Sequence, residues 1–77
     1  MDLATEREHL ALADRHILEG EARIKRHSGL IDHLRENGRD TGTAMALLQT
    51  LEETLLVWRD HRDQILHAIA RLEAEHR

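Results

Sequence analysis

Ala44-Met45-Ala46-Leu47-Leu48-Gln49-Thr50-Leu51-Glu52-Glu53-Thr54-Leu55-Leu56-Val57-Trp58 sets Ala44, Leu48, Leu51, Leu55 and Trp58 in alternating steps of four and three. The steps run on without a slip through Arg62, Ile65, Ile69, Leu72 and His76. Upstream, Leu3, Leu10, Ile17, Ile24 and Ile31 stand seven apart. An apolar period of 3.5 keeps one narrow stripe of an α-helix facing a partner helix, so each half of the chain reads as a long helix with a seam.

The two periodic segments meet at Glu36-Asn37-Gly38-Arg39-Asp40-Thr41-Gly42-Thr43. Asn-Gly after a helical pattern marks a helix end with Gly38 left-handed, where the missing Cβ removes the steric penalty. Arg35 in the last turn suits the helix dipole. Asp40, Thr41 or Thr43 supplies the oxygen that caps the next helix. The spacing predicts helix one over about residues 3–37, a turn over about 38–42 and helix two over about 42–75. Each is about 50 Å long at the α-helical rise. A turn this short permits only an antiparallel return. The fold class is therefore all-α, a coiled-coil-like antiparallel two-helix hairpin forming a single domain.

With Leu3 and Leu48 as a positions, antiparallel packing sets e against e and g against g. On the e flank Arg7 falls opposite Glu73, Glu21 opposite Arg59, and Ser28 opposite Glu52. Two of these pairs are of opposite sign and select the register, although exposed pairs contribute only about 0.5 kcal/mol each. On the g flank Leu30 meets Leu47, Arg23 meets Thr54, and His16 meets His61. One flank is ionic and the other partly apolar. In the seam, Trp58 is expected beside Gly20, with the glycine making room for the indole. Arg62 takes a core position, with Asp14 and Glu21 as its expected partners, because a buried arginine without a carboxylate is costly.

Composition excludes several classes of function. Zero cysteine removes disulfides, thiolate catalysis and cysteine-based zinc sites, and fits a reducing cytoplasm. The start, Met1-Asp2-Leu3-Ala4-Thr5, has neither the basic residues nor the apolar run of a signal peptide. No apolar stretch nears the roughly 20 residues that span a bilayer. The net charge of −4 is mixed along the chain. Arg7, Arg15, Arg23, Lys25 and Arg26 are interleaved with Asp14, Glu19 and Glu21, which makes a solvated face rather than a nucleic-acid surface. Ser28 is the sole serine and there is no Gly-rich phosphate loop, so nothing suggests an enzyme or a cofactor.

Leu12, Leu18, Leu30, Leu47, Leu56, Val57 and Leu66 lie off the seam. A lone hairpin buries one stripe per helix, which barely offsets the entropy of ordering the chain. These residues therefore predict a second packing surface, with a homodimeric four-helix bundle as the first expectation and another helical protein as the second.

Seven histidines carry the remaining chemistry: His9, His16, His27, His33, His61, His67 and His76. Glu6-x-x-His9 and Glu73-x-x-His76 are two Glu-x-x-His units that the antiparallel register brings to one end. That spacing places both side chains of each unit on one helix face, as in di-metal carboxylate bundles. His16 with His61 is a second metal candidate. Against both stands the simpler assignment of His9, His16, His33, His61 and His67 to a solvated rim. His27, at a core d position, is expected to set register or partner number. Protonation of all seven would move the charge from −4 to +3.

The run Ala11-Leu12-Ala13-Asp14-Arg15-His16-Ile17-Leu18-Glu19-Gly20-Glu21-Ala22-Arg23-Ile24 resembles short uncharacterised proteins of alphaproteobacteria. So do Gly38-Arg39-Asp40-Thr41, Leu51-Glu52-Glu53-Thr54-Leu55 and His61-Arg62-Asp63. The resemblance covers most of the chain. It implies a small soluble helical hairpin of the bacterial cytoplasm, with no catalytic residues to carry over.

Overall fold

A computed structural model describes residues 2–76. Helix α1 runs Leu3–Glu36 and α2 runs Gly42–Glu75. They lie side by side in a rod of 61 × 14 × 14 Å. Among the described residues there is no strand. No helix among them is long and apolar enough to cross a membrane. The turn begins one residue earlier than the spacing suggests.

The turn is built as Asn37-Gly38 dictates. Gly38 has φ of +65°. The Arg39 N–H donates to the Leu34 carbonyl over 2.8 Å, and the Gly38 N–H to the Arg35 carbonyl over 3.1 Å. This pair of bonds is the Schellman closure, in which a left-handed residue turns the chain back and satisfies the last free carbonyls of the helix. Asn37 adds a bond from Nδ2 to the His33 carbonyl at 2.7 Å. Of the three expected caps for α2, Asp40 is the one used: its Oδ1 accepts from the Gly42 N–H at 2.9 Å. Thr41 occupies the N-cap place without a side-chain bond. At the other end of the chain Asp2 caps α1, its Oδ1 accepting from the Thr5 N–H at 2.7 Å.

The seam follows the heptads. Every a and d residue of α1 is buried or half-buried, from Leu3 to Leu34. In α2 the same holds from Ala44 to Leu72. His76 departs from the pattern: it is the exposed C-cap, where the helix has run past its neighbour. The core is thin. Among the described residues Ala13, Ile31, Leu55, Ile65, Ala68 and Ile69 are its buried apolar residues, two of them alanines. Ala13, Ile65 and Ile69 form one cluster, with Leu3 and Leu10 packed against it at the open end.

Two details of the seam differ from expectation. A Cβ on Gly20 would meet Leu55 Cδ1 at 3.4 Å and nothing else within 4 Å. Gly20 therefore faces Leu55, not Trp58, because the indole leans out onto the g flank. The second difference is Glu6. Its d position carries it into the seam, where it is 2% exposed and its Oε1 has no hydrogen-bond donor.

Candidate functional site

The expected ion pairs on the e flank form selectively. Arg62 Nε donates to Asp14 Oδ1, so the seam arginine reaches one of its two expected carboxylates. Glu21, the other, lies 4.0 Å from Arg59 instead, as the register requires. No ion pair joins Arg7 to Glu73 among the described residues, and Arg7 and Glu73 both stay exposed near the open end. An open groove of about 700 Å³ runs along this flank, lined by Asp14, Ile17, Leu18, Arg59, Arg62 and Asp63.

The g flank carries the rings. His16 stacks on Trp58 with ring centroids 4.2 Å apart and planes 22° from parallel. His61 meets the same indole edge-on, at 5.8 Å and 71°. His16 and His61, expected opposite one another, each contact Trp58. The indole is too large for a narrow seam, and its flat faces attract imidazoles. His16 Nδ1 also lies 3.9 Å from Glu19. A groove of about 300 Å³ opens between Gly20, Glu19, Arg23, Leu51 and Trp58.

The metal candidates fare unequally. Glu6 and His9 approach each other, with Oε1 to Nδ1 at 3.7 Å. Glu73 and His76 are exposed at the end of α2. Among the described residues no three His, Asp or Glu side chains converge as a metal-holding group.

His27 is half-buried, and its Nε2–H donates to the Ala44 carbonyl across the hairpin at 2.7 Å. That bond ties the last third of α1 to the first turn of α2. It gives a polar d residue a partner, as a histidine so placed requires.

All seven off-seam apolar residues are exposed, as is Met45. Their heptad positions divide them. Leu12, Leu30, Leu47 and Val57 are c or g residues and lie on the flank of His16 and Trp58. Leu18, Leu56, Leu66 and Met45 are b or e residues on the ionic flank. Sequence patterning finds these residues; assigning them to two faces needs the antiparallel register.

No family model, curated protein or solved structure matches the chain.

Proposed function

We propose that the chain is a non-enzymatic oligomerisation module, a hairpin that becomes a four-helix bundle by pairing with a second copy. One observation carries this: among the described residues six apolar residues are buried, two of them alanines, while eight large apolar residues remain exposed. Burying a leucine contributes roughly 1.5–3 kcal/mol, so pairing offers the fold what its own seam lacks. The polar residues of the seam also favour a structural assignment, because Arg62 and His27 are spent on Asp14 and Ala44.

Sedimentation equilibrium tests the proposal. The expected result is about twice the chain mass of 8.9 kDa at micromolar concentration. The melting temperature should rise with protein concentration, since dimer formation is linked to folding by mass action. A mass of one chain with a concentration-independent melt would overturn it.

The second reading is a histidine–carboxylate metal binder, and the Glu6–His9 approach is what favours it. A chelator-sensitive melting temperature, lost in a His9→Ala/His76→Ala variant, would support it over the plain bundle.

A further inference from the structure

The two flanks differ in what docking would bury. Within the helices the b and e positions carry ten charged residues: Arg7, Asp14, Glu21, Lys25, Asp32, Arg35, Glu52, Arg59, Asp63 and Glu73. The c and g positions carry five: Glu19, Arg23, Arg26, Arg71 and Glu75. Interface centres are depleted of charge and enriched in aromatic residues, which selects the flank holding Trp58, Leu12, Leu30 and Leu47. Asp14 and Glu21 on the other flank are already engaged by Arg62 and Arg59.

Along α1 the c and g residues are ordered His9, Leu12, His16, Glu19, Arg23, Arg26, Leu30 and His33. Reversed about residue 21, this row is complementary to itself. Leu12 falls on Leu30, Glu19 on Arg23, His16 on Arg26 and His9 on His33. Each contact occurs twice, once on either side of the centre, as a two-fold axis demands. Gly20 lies against Leu55, so the same axis crosses α2 near residues 55 and 56. There it sets Thr54 on Val57, Thr50 on His61 and Leu47 on Gln64, with no like charges opposed.

We propose that two copies of this chain dock antiparallel through the c and g flank, α1 along α1, with Leu12 of each packed on Leu30 of the other and Glu19 paired with Arg23. This rests on the dimer reading above and names its face and direction. The rod is 61 Å long, so a contact along this flank can run most of its length. The groove beside Gly20 and Trp58 then lies at the centre of the contact, where an aromatic anchor contributes most.

The chain has no cysteine, which makes cross-linking decisive. The L12C/L30C variant, oxidised at micromolar concentration, is expected to form a covalent dimer, whereas L12C alone stays monomeric on a denaturing gel. Separately, E19R and R23E are each expected to weaken the dimer about tenfold, since both symmetric pairs become repulsive. The E19R/R23E double variant should return to near the native dissociation constant. Circular dichroism establishes that each variant is helical. Covalent dimers of L12C alone, or of L56C/L66C on the ionic flank, would overturn this docking. So would a stable dimer in which L12C/L30C fails to link and the charge reversals are additive, although the dimer itself would stand. A native chain that sediments as a monomer would remove both.

Discussion

His27 of α1 and Ala44 of α2 are joined by a 2.7 Å bond from the imidazole Nε2–H to a main-chain carbonyl, the polar tie nearest the turn. Neighbouring layers are held by apolar contact and by the pairs Arg62–Asp14 and Arg59–Glu21. In a helix the Ala44 carbonyl also accepts a bond from four residues onward, so losing the histidine does not orphan it.

His27→Leu is therefore expected to change stability by less than about 1 kcal/mol, because one modest hydrogen bond is exchanged for apolar burial. His27→Asp should lower it by about 2 kcal/mol or more, since a half-buried carboxylate would face a carbonyl. Urea denaturation measures both. Equal stability of the two variants would show that the tie is immaterial.

The glycines make a second comparison. A Cβ at Gly29 meets nothing within 4 Å, and one at Gly20 makes ordinary contact with Leu55. Gly29→Ala is expected to stabilise by about 0.5–1 kcal/mol through helix propensity alone. Gly20→Ala should gain less, and Gly20→Leu should lose about 1–3 kcal/mol as its branch is driven into Leu55. A gain for Gly20→Leu in thermal melts would contradict the seam described here.

Glu6 is a buried carboxylate with one oxygen lacking a donor, placed between Leu3 and Leu10 on the seam. Replacing such a group with an apolar residue of similar size removes a desolvation cost. Glu6→Leu is expected to stabilise the hairpin by about 1–3 kcal/mol in urea titrations. Destabilisation instead would show that the buried carboxylate is not a net cost to the hairpin.

Asp2 gives the molecule an acid-sensitive end. The Thr5 N–H, donating to its carboxylate, holds the Asp2 carboxyl below its ordinary value of 3.8. A depressed folded value means that the cap stabilises fully above pH 3.8 and that its contribution is lost as the pH falls through the lower, folded value. Asp2→Ala should be less stable than the native chain at neutral pH, and the difference should shrink below that window. Stability measured against pH for both proteins checks this. A difference that persists at pH 2 would show that the charge is not its source.

Much of the architecture is legible in one dimension. The 3.5-residue period assigns Leu3 to Leu34 and Ala44 to Leu72 to a seam, because a helix turns each such residue to the same side. Asn37-Gly38 marks the turn, because only glycine takes a positive φ without penalty. Given those two facts, Glu21–Arg59 follows from register by arithmetic, whereas the choice of Asp14 over Glu21 by Arg62 does not. The same arithmetic sets Arg7 opposite Glu73, where no ion pair forms among the described residues. Asp2 carries a start signal that sequence reasoning passed over, an aspartate immediately before the first apolar residue of the pattern, and the structure shows it capping α1.

The remainder needed three dimensions. Periodicity states which residues face the partner helix, not how deeply each sits or which way a long side chain leans. Trp58 leans out to His16 and His61 because the seam is too narrow for an indole, and that leaves Gly20 to Leu55. Glu6 is buried although its composition reads as surface, because a d position is enclosed by its neighbours whatever its polarity. The off-seam leucines divide into two faces by heptad letter once the short turn makes the return antiparallel, but their exposure is settled only in the packed hairpin. The heptad is a property of one helix; depth and lean belong to the packing of two.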